Sequence, residues 1–108
     1  MRYEIILAPE AVEDLRCLKA NVRAQVQDAI ERHLRHEPTK TSKTRIKRLR
    51  GLSRPQYRFR VGDDIRVFYD ATEGIVEVLA IVPKSRAIEW LERYGGSDEE
   101  SGSDSTQG

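Results

Sequence analysis

Near the start of the chain, "RYEIILA" sets Tyr3, Ile5 and Leu7 on one side at a period of two, which predicts a short strand. At Pro9 the period changes. Proline suits the first turn of a helix, Glu10, Glu13 and Asp14 stand near the positive end of its dipole, and Val12, Leu15 and Leu18 form an apolar stripe at helical spacing. Asn21 is the expected cap of a second helix, in which Val22, Val26, Ala29, Ile30 and Leu34 repeat the stripe until Pro38 forbids continuation. The two are expected to form a helical hairpin. Residues 39–56, "TKTSKTRIKRLRGLSRPQ", have the polarity of a loop, with Ile46, Leu49 and Leu52 as anchors on the core. Strands are predicted at 57–61, 65–70 and 75–82, and the last, "IVEVLAIV", is apolar enough to be buried on both faces as a central strand would be. Pro83 ends it. "KSRAIEWLERY" then reads as a short final helix, with Ser85 as its cap and Ile88, Trp90 and Leu91 available to pack.

The stretch "YRFRVGDDIRVFY", residues 57–69, is the most informative. Side chains alternate faces along a strand, so Tyr57, Phe59 and Val61 point one way while Arg58 and Arg60 point the other. A three-residue loop, Gly62 to Asp64, pairs Val61 with Ile65 and Arg60 with Arg66, and gives the core face Ile65, Val67 and Tyr69. A two-residue loop would set Arg66 beside Phe59 and drive a charge into the core, at a cost on the order of several kcal/mol. The odd loop is therefore expected, with Arg58, Arg60 and Arg66 sharing one face with Phe68 as a cationic platform bearing an aromatic. Like charges paired across strands oppose folding by roughly 0.2 to 1 kcal/mol, so the cluster implies an anion that neutralises it.

Charge distribution strengthens this reading. Overall the 108 residues carry a formal charge of only +1, but the last twelve, "SDEESGSDSTQG", hold four acids and no base. Setting those four of the 18 acids aside leaves 14 acids against 19 bases, about +5 for the body of the chain. From Lys40 to Arg66 there are ten bases, opposed only by Asp63 and Asp64. That is the footprint of a polyanion-binding surface. The length suits one core, so residues 1–96 are expected to form one domain and 97–108 a disordered acidic tail with no apolar residue to bury. Removing the tail is expected to leave thermal unfolding nearly unchanged; a loss of several degrees in Tm would show that it docks. With Cys17 as the only cysteine no internal disulfide is possible, and there is neither a membrane-spanning run nor a signal-peptide pattern, so a cytoplasmic protein without a membrane partner is expected. Cys17 reads as a small buried hydrophobe.

The order strand, two helices, basic loop, three strands and short helix, together with "KRLRG", "YRFRVGDDIRVFY" and "VEVLAIVPK", resembles the RelE/ParE superfamily of bacterial toxin-antitoxin toxins across roughly residues 3–94. Leu49 to Leu52 is similar to the family's leucine-arginine-glycine step, and Tyr57, Arg58, Arg60, Gly62, Arg66 and Tyr69 to its hairpin signature. The resemblance implies an α+β, microbial-ribonuclease-like fold: an antiparallel sheet of a short N-terminal strand and three C-terminal strands, the helical hairpin against one face and a basic cleft on the other. In the RelE branch that cleft binds mRNA in the ribosomal A site and cleaves it without metal or cofactor, the ribose 2′-OH attacking its own phosphate. Catalytic roles are thereby implied for Arg60, Arg66 and Lys84, and RNA-binding roles for Arg58, Lys47, Arg48 and Arg50. Lys84 falls where relatives carry a catalytic histidine or arginine, and Trp90 and Tyr94 lie near the usual position of a tyrosine in the final helix.

Phosphodiester cleavage needs a base for the 2′-OH, cations for the charge growing on the phosphate and an acid for the leaving oxygen. The arginines supply only the second, because arginine does not give up its proton. Lys84, where neighbouring cations favour the neutral amine, and Tyr94, if the helix folds it back, are the candidate bases. His33 and His36 lie in the second helix with no acid or cysteine set to complete a metal site, so no metal is expected. Three functions fit these residues: a ribosome-dependent mRNA endoribonuclease that blocks translation, a ParE-like inhibitor that binds DNA gyrase without catalysis, and a non-catalytic RNA-binding member of the fold. The first two share an expected partner, a cognate antitoxin protein presenting acids to the arginines.

Overall fold

The computed structural model describes residues 2–97. In chain order the elements are β1 (Glu4–Leu7), α1 (Pro9–Arg16), α2 (Ala20–Ala29) running into a π-helical turn (Ile30–Leu34), β2 (Ile46–Arg48), β3 (Leu52–Arg54), β4 (Tyr57–Val61), β5 (Ile65–Thr72), β6 (Ile75–Pro83), α3 (Lys84–Tyr94) and β7 (Gly96–Ser97). Five strands form one sheet in the order β1-β6-β5-β4-β2, while β3 and β7 pair separately. The class is α+β, as expected, with two corrections to the sheet. β1 runs parallel to β6, because alternation dictates which side of a strand is buried and says nothing about the direction of its neighbour. The basic segment 39–56 is not one loop: Ile46–Arg48 pairs antiparallel with β4, and Leu52–Arg54 with β7. Strands of three residues are too short to show a period, and their partners are remote in sequence.

One face of the sheet carries the main core. Phe59, Val67, Tyr69, Val76 and Val78 are fully buried there beneath Ala11 of α1, Val26 of α2 and Ile30 and Leu34 of the π-turn. Each such side chain contributes roughly 1.5 to 3 kcal/mol through the area it removes from water. The stripe of α1 runs through Ala11 and Leu15 and is continued by Leu18 in the turn that follows; Val12, expected in it, is 41% exposed. Ala11 stands four and seven residues before Leu15 and Leu18 and fits a helical face, so the smaller residue takes the buried position. Asn21 does not cap α2, which starts at Ala20 with no side-chain cap. The junction is held instead by Arg23, whose Nε and Nη2 donate to the carbonyl oxygens of Leu15 and Leu18 at 3.3 and 3.0 Å and so tie α2 to the turn after α1. Tyr69 donates from its buried hydroxyl to the Pro38 carbonyl at 2.6 Å, which fixes the chain after the helices, and burial raises its pKa.

α3 crosses the opposite face. Ala87, Trp90 and Leu91 cover Phe68, Ala80 and Val82, with Leu49 joining from the basic segment. Ser85 makes no cap; the helix is started by the Lys84 backbone N–H, which donates to the Asp64 carbonyl and ties α3 to the β4–β5 loop. Ile88, expected to pack, is 73% exposed, since it stands about 100° around the helix from Ala87 and away from the Ala87–Trp90–Leu91 face. Cys17 is exposed, contrary to its reading as a buried hydrophobe, because the stripe of α1 turns past it. β7 extends one residue into the tail expected to begin at Ser97, and residues 98–108 lie outside the described ones. Among the described residues no helix is long and apolar enough to cross a membrane.

Candidate nucleic-acid interface

The β4–β5 hairpin has the three-residue loop that the alternation demands. Val61 pairs with Ile65, Arg60 with Arg66, Phe59 with Val67 and Arg58 with Phe68. β2 adds Lys47 opposite Arg58 and β6 adds Val82 opposite Arg66. Two cross-strand rows result on one face, Lys47–Arg58–Phe68 and Arg60–Arg66–Val82. The loop starts at Gly62 with φ +61°, a left-handed conformation open to glycine, and a Cβ there would come within 3.3 Å of Gln25 Nε2.

Arg66 is the most constrained cation. Only 7% exposed, it donates from Nη1 to the carbonyl oxygens of Asp63 and Ile65 at 3.2 and 3.1 Å. Burial lowers its pKa, and Arg58 and Arg60 lower it further, but an arginine so perturbed remains charged. Arg60 is more open. Its Nε donates to the Gly62 carbonyl at 3.1 Å and its Nη2 to Asp63 at 2.7 Å. Arg58 is half-buried, and its Nε is a buried donor with no acceptor among the described residues. Among the described residues, Asp63 is the only carboxylate bridged to any of the three. The cluster is therefore not fully neutralised among the described residues, and an unmet buried N–H costs about 1 to 3 kcal/mol until an acceptor reaches it.

The acids of this face lie elsewhere. Arg54 bridges Asp70 and Glu77 at 3.2 and 3.0 Å, and Asp70 also accepts from the Gln56 backbone N–H at 2.7 Å. Burial raises the pKa of Asp70 against those two donors. The arginine face thus runs from Arg60 and Arg66 through the Phe68–Trp90 contact to the end where Arg54 meets Asp70 and Glu77.

Other candidates separate. Lys84, exposed at the start of α3, is brought beside Asp64 and so to the same end of the sheet as Arg60 and Arg66. Arg48, adjacent to Lys47 in β2, points to the opposite face, where its guanidinium lies 5.2 Å from the Tyr57 ring centroid, over a ring that stacks on Tyr69 at 5.3 Å. Arg50 is exposed in the turn between β2 and β3. Tyr94 is exposed at the far end of α3, about 15 Å from Lys84 at 1.5 Å per residue, with its ring tilted against Trp90. The aromatic of the expected platform is also corrected: Phe68 is fully buried, with Trp90 stacked on it at 5.0 Å and 4°, and offers no face to a base. Trp90 is held in place by Glu10 of α1, which accepts from its indole N–H at 2.8 Å. Among the described residues no group of three or more His, Cys, Asp or Glu side chains is placed to hold a metal ion.

A family model described as the ParE toxin of the type II toxin-antitoxin system, parDE, matches residues 5–88. Among solved structures, the toxin-antitoxin complex RelBE2 from Mycobacterium tuberculosis is 22% identical, with 78% of this chain and 100% of that chain covered and a TM-score of 0.61. The archaeal RelE-RelB complex from Pyrococcus horikoshii OT3 is 25% identical over 80% of this chain and 99% of that chain, with a TM-score of 0.59. The E. coli DinJ-YafQ toxin-antitoxin complex shares 12% identity over 79% of this chain and 96% of that chain, with a TM-score of 0.60. No curated protein matches the sequence.

Proposed function

The chain belongs to the ParE toxin family of type II toxin-antitoxin systems, and from that premise we propose that it is a metal-independent endoribonuclease that cleaves mRNA on the ribosome and so blocks translation. The observation that carries the reading is the arginine cluster: Arg58, Arg60 and Arg66 gathered on one face with a single carboxylate among them and one buried N–H unmet. A phosphate oxygen supplies the missing acceptor and the missing negative charge at once.

In this reading the 2′-oxygen bonds to the adjacent phosphorus while the bond to the 5′-oxygen of the next nucleotide breaks. A base takes the 2′ proton and an acid returns one to the leaving oxygen. Arg66, fixed by two backbone carbonyls, and Arg60 stabilise the charge that grows on the phosphate, the preorganised donation that contributes most when the donors need not move. Lys84, at the same end of the sheet, is the candidate for the proton exchange. Arg58 and Lys47 hold the strand.

This division of labour predicts that Lys47→Ala weakens association with single-stranded RNA and flattens its salt dependence by roughly 0.7 in slope, with little change in turnover at saturation. Arg48→Ala, which removes a cation from the opposite face, is expected to leave that slope unchanged. Equal effects in a fluorescence-anisotropy salt titration would remove the assignment of the strand to the arginine face.

A second reading, binding to DNA gyrase through the same cationic face without catalysis, is the one that the resemblance to ParE implies, and the matching family model is described as the ParE toxin. Relatives of known structure are solved as complexes with antitoxins. On either reading a cognate antitoxin, presenting acids to Arg58, Arg60 and Arg66, is the partner that silences the toxin. The test is to map cleavage of translated mRNA in cells after induction, together with a gyrase supercoiling assay. Codon-phased cuts support the first reading. Gyrase poisoning without cuts replaces it by the second.

A further inference from the structure

The basic surface does not stop at the arginine face. β2 begins at Ile46, opposite Phe59, so on its side away from β5 the last part of β4 has no strand among the described residues, and the Arg60 N–H is met there by the Arg45 carbonyl at 2.8 Å. Against this open edge the π-turn after α2 presents Arg32 and His33. A π-helical turn is a costly interruption that recurs at functional sites. Between the two lies a cavity of about 220 Å³ lined by Arg32, His33, Arg45 and Arg60, with Gln25 and Asp28 on the helix side. Asp28 is bridged to Arg32 at 3.7 Å. Arg45 is exposed and bridged to no carboxylate among the described residues. Arg60 belongs to both places: it lines this cavity and stands in the row with Arg66.

We propose that this edge cavity is a second phosphate subsite, which takes a backbone phosphate of the same RNA strand as it leaves the arginine face around Arg60. The inference rests on the RNA reading of that face. Arg32 is bridged to Asp28 and Arg60 to Asp63, so Arg45 is the guanidinium of the cavity without a carboxylate among the described residues, and the net positive charge beside the imidazole has the sign to hold a phosphodiester. His33 adds a reporter. Its ring meets Phe59 edge-on at 5.7 Å, and its pKa is lowered by burial first and then by Arg45 and Arg32, against smaller opposite effects of Asp28 and Glu37. An anion seated beside the two arginines reverses the unfavourable field, so binding draws a proton onto the imidazole.

The experiment is an NMR titration of the full chain with a non-cleavable 2′-O-methyl hexanucleotide and, separately, with inorganic phosphate. The chain has only two histidines, so His36 serves as the internal control. The expected result is that the hexanucleotide shifts the His33 imidazole signals and raises its titration midpoint while His36 stays put. Arg45→Gln, an exposed position whose backbone contact survives, is expected to weaken hexanucleotide binding about fivefold and to flatten the salt slope by roughly 0.7. If the Arg58 and Arg66 side-chain signals respond and His33 does not, the subsite is wrong and the arginine face stands. If none responds, the RNA reading falls and the subsite with it. A response of His33 to inorganic phosphate but not to the hexanucleotide also overturns the proposal.

Discussion

On the endoribonuclease reading, replacing Arg66 by alanine is expected to lower the rate of RNA cleavage on programmed ribosomes by about a hundredfold, near 3 kcal/mol, by analogy with the loss of one preorganised donor to a developing oxyanion. The reason is positional. Arg66 is almost fully buried, anchored through Nη1 to two backbone carbonyls, and repelled by Arg58 and Arg60, so a phosphate bound beside it would meet a guanidinium that is already fixed in place. Interactions made more strongly in the transition state than in the ground state lower turnover more than binding, so the loss should appear at saturating toxin in single-turnover experiments. Arg66→Lys keeps the charge but not the planar fork, and is expected to fall between alanine and the native chain. Growth inhibition should disappear with Arg66→Ala. Cleavage by that variant at the native rate would show that Arg66 is not catalytic.

The largest effect on stability is expected from Phe68→Ala, a loss of about 3 to 5 kcal/mol. Phe68 is the fully buried centre of the second core, stacked on Trp90, and Trp90 links α3 to α1 through Glu10. Truncation opens a cavity under α3 and removes the surface that holds the helix to the sheet. At roughly 4 °C or more per kcal/mol for a domain near this size, the melting temperature should fall by about 12 °C or more. Phe68→Leu fills most of the space and is expected to keep most of the stability and of the RNA binding. A ring that stacked on bases would behave the other way, with Phe68→Leu losing affinity while melting normally. Thermal unfolding and anisotropy on the two variants distinguish a packing role from a stacking one.

Much of the site could be read before any coordinates. The period of two in residues 57–69, combined with the cost of burying a charge, is enough to require an odd loop, and the observed pairing of Arg60 with Arg66 follows from it. The strand at β6 and the helices at α1 and α3 are likewise local consequences of apolar spacing and proline placement. Where two apolar residues compete for one helical face, spacing alone does not choose. Ala11 displaced Val12, and Ala87 displaced Ile88, because the buried side is set by what the helix lies against.

The remainder depends on contacts between segments far apart in the chain. Period two puts Phe68 on the arginine face, but its burial is due to Trp90, twenty-two residues on. Lys47 and Arg48 look alike in a basic run; once Ile46–Arg48 pairs with β4 they are sent to opposite faces, one beside Arg58 and the other over Tyr57. His33 reads as an ordinary helical residue until the π-turn and the open edge of β4 bring it among Arg32, Arg45 and Arg60. What the sequence determined by itself was the strand alternation, the hairpin register and the charge of the segment, in which a residue's neighbours along the chain set its energy; the caps expected at Asn21 and Ser85 are not made. Tertiary structure alone decided which face is covered, which cations remain without a carboxylate and which meet across the sheet edge, because burial and Coulomb energies depend on distances in space that no local period encodes.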